Sequence, residues 1–336
     1  MPLLADSLGD QLFIGRDEEL RRVGLRLTSS ASAVCLDGMV GVGKTSLANI
    51  AAFRALRSYR ANSRTSPLII PCRRPFQVSP TETPDDFRMR VLTEVAQTLL
   101  ERSSEFRLGL NMEGSVGLNA WLNSPLLRQW SLGVPIFSAG GGAQSNESAG
   151  FTSSGFSRTV ISWLEAIFPD NQNGGVVCVL DNLELLETSA IARKKIEALR
   201  DTLFTVKGLR WVLCGAHGIL QGVVASQRLV GHMQEPVYVP PLALAHAQAV
   251  FDARVQTFNA QNGSAPYLPF DADDFHRMYL IVHRSLRNAL AYANDYCLHI
   301  AESGTEPRTK EEKRQRFDSW LKRMAESIRD AVKAQT

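Results

Sequence analysis

Several things are scarce in this chain, and each absence narrows what it can be. No stretch approaches the eighteen or so consecutive apolar residues of a membrane span, and the N-terminus shows no basic-then-apolar leader. We therefore expect a cytoplasmic protein with no membrane partner. Cysteine is limited to Cys35, Cys72, Cys178, Cys214 and Cys297, none in a C-x-x-C pair. That pattern argues for small, reduced core residues rather than a disulfide framework. Charge of one sign is also scarce: 37 Lys and Arg oppose 34 Asp and Glu, a net +3 too small to mark a nucleic-acid binder by itself. The excess that exists lies late in the chain, where nine basic side chains meet five acidic ones between Pro307 and Lys333.

What the chain has is a phosphate-binding loop. Gly38-Met39-Val40-Gly41-Val42-Gly43-Lys44-Thr45-Ser46 fits G-x-x-x-x-G-K-[ST], with Gly38, Gly43, Lys44 and Thr45 at the fixed positions. The flanks suit it. Ala33 to Asp37 is a short apolar run that reads as a buried strand, and Ser46 to Phe53 continues as a helix. Glycines let successive N–H groups turn inward on phosphate oxygens, and the helix N-terminus adds partial positive charge. Lys44 would reach the β and γ phosphates, and the Thr45 hydroxyl would go to Mg²⁺.

A second chemical motif follows much later. Gly175 to Leu180 is apolar and β-branched and ends in Asp181, as a central parallel strand must if it is to deliver a carboxylate to the sheet's C-terminal edge. Asp181 fits the Walker B role, holding Mg²⁺ through water. The next residue is Asn182; Glu184 is the nearest acid beyond it, either a water-polarising carboxylate or a surface residue of the turn.

Together with Leu12-Phe13-Ile14-Gly15-Arg16-Asp17-Glu18-Glu19-Leu20, these motifs carry a family resemblance. The segment is similar to the "hxGRxxEL" box that opens AAA+ ATPases of the origin-recognition and loader type and the related STAND ATPases. The resemblance covers about residues 12 to 300. It implies an α/β P-loop fold, a parallel sheet with helices on both faces, followed by a small helical lid, with ATP and Mg²⁺ between them. Ile14, Gly15 and Arg16 become adenine-side residues, or else simply cap the helix whose acidic first turn follows them.

Further roles are implied in the same way. Many AAA+ enzymes have Glu where this chain has Asn182, so hydrolysis is expected to be slow. His217, at the tip of the strand that starts near Gly208, stands where a γ-phosphate sensor would, although Asn, Thr, Ser or Arg is usual there. Arg200, on a helix expected over 188–205, is the candidate arginine finger toward a neighbouring subunit. Val237 to Leu242 resembles the last core strand entering the lid, which is expected as helices over 243–258, 271–281 and 285–300. Within it, His283 to Leu290 lines up with the "GxxRxal" sensor 2 segment, which makes Arg287 a γ-phosphate contact, although the usual glycine is missing.

Two segments stay open. Residues 103–155 read as an insertion, either a partner-contacting hairpin with strands near 106–118 and 132–142 or a surface loop. The C-terminal stretch sets Phe317, Trp320, Leu321, Met324, Ile328 and Val332 at helical spacing beneath a basic face. It would either pack on the lid or touch nucleic-acid phosphates or a partner; the winged helix that usually follows an origin-recognition lid is not expected. The division is thus a core over 1–240, a lid over 241–305 and a basic helix over 306–336. STAND-type proteins serve bacterial signalling and anti-phage defence, so the resemblance implies a homo-oligomerising switch acting on a separate protein. A DNA-dependent loader or transposition-type ATPase is the alternative.

Overall fold

Strands arise here where the chain is apolar on both faces. The computed structural model describes residues 2–62, 65–105, 153–186, 188–262 and 267–335. β1 (Val34–Asp37), β2 (Leu68–Pro71), β3 (Gly174–Leu180), β4 (Leu209–Gly215) and β5 (Val237–Tyr238) form one parallel sheet in the order β2-β3-β4-β1-β5. The two sheet faces divide the side chains strictly by alternation. Leu36, Val177, Val179, Val212 and Cys214 enter one cluster, and Cys35, Cys178, Leu180, Trp211 and Leu213 the other. Both clusters are covered by helices, which is why these strands show no polar alternation.

α2 (Asp17–Ser29) and α3 (Lys44–Ala61) cover the first face, and α1 (Ser7–Leu12) packs against α3. α4 (Pro84–Glu101), α5 (Ser153–Ile167), α6 (Ser189–Leu199) and α7 (Ile219–Val224) cover the second. The register aligns Asp37 with Gly215 and Leu180 with Leu213, so the loops after β1, β3 and β4 all leave one edge. Ligands bind at that edge in open α/β sheets.

The chain then enters three helices, α8 (Ala247–Asn262), α9 (Ala272–Ile281) and α10 (Leu286–Ser303), followed by α11 (Lys310–Gln335). Their cores merge: Phe317 and Trp320 of α11 are buried with Phe270, Phe275, Tyr279 and Tyr296. Tyr296 packs edge-on to Phe317 with ring centroids 5.2 Å apart. The C-terminal helix is therefore packed on the lid, with Arg314 and Lys322 exposed.

Three elements depart locally from what the sequence leads one to expect. The helix expected over 188–205 ends at Leu199 and passes into a π turn, Arg200–Phe204. β5 is only two residues long because Pro240 and Pro241 follow almost at once and cannot donate to a ladder. α1 carries no helix signal beyond its Asp6 cap, and tertiary contacts hold it: Asp10 pairs with Arg54 at 2.6 Å and Arg57 at 2.7 Å. The expected hairpin within 103–155 falls on residues 106–152, outside the described residues. Among the described residues no helix is long and apolar enough to cross a membrane.

Candidate nucleotide-binding cleft

A cleft of about 390 Å³ lies between the sheet's C-terminal edge and the lid. Its volume is within the usual range for small-molecule sites, roughly 300–1,000 Å³. The P-loop forms one wall. Gly43 is the N-cap of α3 at φ 98°, a left-handed conformation that glycine alone adopts without strain. Lys44 is buried, and its Nζ donates to the Gly38 and Met39 carbonyls at 2.9 Å each. Thr45 Oγ1 donates to Asp181 Oδ2 at 2.6 Å, with both residues buried.

Asp181 is fixed by its neighbours. Beyond β2 the chain stays beside β3, so Phe76 donates to the Val179 carbonyl and Asp181 N donates to the Phe76 carbonyl, both at 2.7 Å. Asn182 then turns at φ 57°, and the short 3-10 turn Leu183–Leu186 returns Glu184 to the cleft. Glu184 Oε2 is buried with no hydrogen-bond partner among the described residues. Beneath these groups the Cys214 thiol is pushed well above its ordinary value, by burial first and by Asp181 and Glu184 in addition, with Lys44 opposing.

The lid supplies the opposite wall. Arg287 N donates to the Gly41 carbonyl at 3.3 Å. Gly41 sits at φ 81°, and a Cβ there would meet Ser285 Oγ at 2.6 Å, so loop and lid touch closely. Arg284 occupies the place of the missing glycine in the sensor 2 pattern. It still takes the left-handed conformation, at φ 62°, and its Nη2 donates to the Leu242 carbonyl at 3.3 Å.

The remaining expected residues separate into two groups. Ile14 lines the cleft, as do Val40, Val42 and Ser46, while Met39 is exposed on the loop. Ser46 Oγ accepts from Leu3 N at 3.0 Å, which ties the N-terminal segment to α3. Gly15 faces the ring of His246, which a Cβ would meet at 2.4 Å. Arg16 also borders the cleft, but its buried Nη2 donates to the Val42 and Pro240 carbonyls at 2.8 Å each and its Nη1 meets Glu19 at 3.2 Å. Burial pushes its pKa down, against the pull of Glu19. Arg16 thus ties the P-loop to the end of β5. His217, exposed at φ 56°, and Arg200, paired with Asp201 at 2.7 Å, lie outside the residues lining the cleft.

Among the liners outside every sequence motif are Pro2, Leu3, Val250, Arg254, Ala291 and Asn294. The helical stripe Leu286, Leu290, Ala291 and Asn294 on α10 could have found the last, since it shares a face with the sensor 2 segment.

The donor set fits a nucleoside triphosphate with Mg²⁺: one lysine, loop N–H groups, a hydroxyl and one carboxylate. Among the described residues no group of three or more His, Cys, Asp or Glu gathers to hold a metal.

Neither a protein-family model nor a curated protein matches the sequence. Solved structures do match. The ORC1 protein of Aeropyrum pernix, solved in complex with DNA, has a TM-score of 0.54 at 15% identity, over 95% of this chain and 68% of that one. The ORC2 protein of the same organism, in ADPNP–ADP complexes, has a TM-score of 0.52 at 12% identity, over 90% of this chain and 68% of that one. Its ADP form gives 0.52 at 12% identity, over 91% and 69%. At such identities the likeness concerns the fold alone: this chain shares with those two ORC proteins a parallel P-loop sheet followed by a helical lid.

Proposed function

We propose that the protein binds ATP with Mg²⁺ between sheet and lid, hydrolyses it slowly, and converts nucleotide state into its own oligomeric state to act on a separate protein. The observation that carries this reading is the meeting of lid and loop: Arg287 N against the Gly41 carbonyl, with Lys44, Thr45 and Asp181 across the same cleft. Lys44 would exchange its two loop carbonyls for phosphate oxygens. Thr45 and Asp181 would hold the metal, which neutralises charge on the β and γ oxygens when bound. Arg287 would sense the γ-phosphate from the lid, so that its presence biases the lid angle.

Slow turnover follows from the residues after β3. Asn182 cannot act as a base. Glu184, which lines the cleft with one oxygen buried and unpartnered among the described residues, would orient the water. Arg200 would act in trans, leaving Asp201 for a neighbour's γ-phosphate, and His217 would report on the nucleotide from the β4 tip. We divide the chain into a core over 1–240, a lid over 241–305 and a basic helix over 306–336 that rests on the lid.

A DNA-dependent ATPase is the second reading. It is favoured by the structural likeness to an ORC1 protein solved with DNA and by the exposed Arg314 and Lys322 on α11. Calorimetric titration with MgATP tests the first step: wild type binds and Lys44→Ala does not. Turnover then separates the readings. Stimulation by DNA with a steep salt dependence supports the second, and turnover that rises only with protein concentration supports the first.

A further inference from the structure

Arg254 is a cation inside the cleft that none of the motifs above accounts for. α8 places it one turn beyond the buried Val250, and both residues line the cleft wall. Its Nη1 donates to the Val250 carbonyl at 3.0 Å, on its own helix, and among the described residues it has no other partner. Burial alone pushes its pKa below the ordinary arginine value, with no carboxylate raising it. The side chain is half-buried, and most of its donors have no protein acceptor among the described residues. Such a group is explained when a ligand entering the same space supplies what the protein does not.

Its place along the cleft indicates which part of a ligand that is. α8 packs against α1, whose last residue, Leu12, lines the cleft with Phe13 and Ile14. On α10, Arg287 marks the phosphate end at Gly41, and Asn294 lies seven residues further along the same cleft, roughly 10 Å along the helix axis. The far end is thus apolar from the N-terminal side and bears one planar, under-partnered cation from the lid. A purine base has the matching face: flat, weakly hydrated, and attractive to a guanidinium plane.

We propose that Arg254 holds the nucleoside end of the nucleotide, laying its guanidinium against the purine base from the lid. The inference rests on the nucleotide reading above and adds a residue which that reading did not contain. It makes lid position depend on the base as well as on the γ-phosphate.

The test compares MgATP with inorganic tripolyphosphate, which has the phosphates and no base, by calorimetric titration of the full chain. Arg254→Met keeps the stem's bulk and removes the plane and charge; Arg254→Gln serves if the first variant does not fold. MgATP affinity is expected to fall roughly 10- to 30-fold while tripolyphosphate affinity stays within about twofold, and the ligand-free thermal midpoint should stay near wild type, since the one protein bond lost lies within α8 itself. Equal losses for both ligands would move Arg254 to the phosphates and overturn the inference. So would an unchanged MgATP affinity with a lowered midpoint, the result for a purely structural arginine. Wild type that binds tripolyphosphate and not MgATP would also overturn it, whereas wild type that binds neither would remove the nucleotide reading beneath it.

Discussion

Thr45 and Asp181 lie 136 positions apart in the chain, yet Thr45 Oγ1 donates to Asp181 Oδ2 at 2.6 Å. The bond joins the first turn of α3 to the end of β3, and both ends are held independently. Thr45 follows the left-handed Gly43, and Asp181 N donates to the Phe76 carbonyl. Under the proposed reading, this hydroxyl and carboxylate would supply the protein's part of a site for a hard divalent cation.

Asp181→Asn keeps the shape and the hydrogen bond but removes the charge. We expect MgATP turnover to fall by at least about 100-fold, the scale of several kcal/mol that a metal contributes to such transition states. The fold should survive, with a thermal midpoint near wild type. Malachite-green phosphate release and differential scanning calorimetry check the two halves, and undiminished turnover would exclude Asp181 from the metal site.

Glu184 gives a sharper expectation about chemistry. Glu184→Gln should lower kcat by about 100-fold or more, the usual contribution of a positioned base, with MgATP affinity preserved. Single-turnover kinetics beside equilibrium binding separate the two. Loss of affinity with kcat unchanged would make Glu184 a binding residue, and Asn182 would then be the side chain beside the attacking water.

Much of this was legible in the chain, for a physical reason. Strands buried on both faces must be unbroken apolar runs, so β1, β3 and β4 announce themselves, and the glycine loop and the terminal Asp181 mark where they stop. Lys44, Thr45, Asp181 and Arg287 meet in one cleft because each sits in a motif that encodes its local geometry. The π turn at Arg200 and the helix α1 were not legible, because no local pattern distinguishes them; α1 depends on Arg54 and Arg57, more than forty positions away. Arg254 and Asn294 were missed because an arginine or asparagine on a helix reads as a solvated face until the lid is folded over the loop. Arg16 shows the limit of a motif: the position was recognised, and its two backbone carbonyl partners could not be.

Arg16→Met tests which of its two readings holds. Removing the guanidinium leaves the Val42 and Pro240 carbonyls without their donor, so we expect a loss of about 2–4 kcal/mol in unfolding free energy, read from urea titration without nucleotide. A stable variant with weakened MgATP binding would instead assign Arg16 to the adenine.

The thiols should label unequally at pH 7.5. Burial pushes Cys35 up to about 12 and raises Cys178, Cys214 and Cys297 above the ordinary thiol value, so these four carry little thiolate at that pH. The Cys72 thiol is lowered by hydrogen bonds from Cys178 and then Thr98, against burial, and so carries the largest thiolate fraction. Iodoacetamide followed by peptide mass mapping should show Cys72 first and the others after unfolding. Equal rates for all five would contradict this ordering.

The central claim is that nucleotide in the cleft sets the assembly state, and light scattering measures that mass directly. Wild type and Lys44→Ala would be compared with MgATP and with MgADP, each with and without double-stranded DNA. The account predicts a larger species in MgATP alone, absent in MgADP, absent in Lys44→Ala and indifferent to DNA. A monomer in every nucleotide state that assembles only on DNA would contradict it.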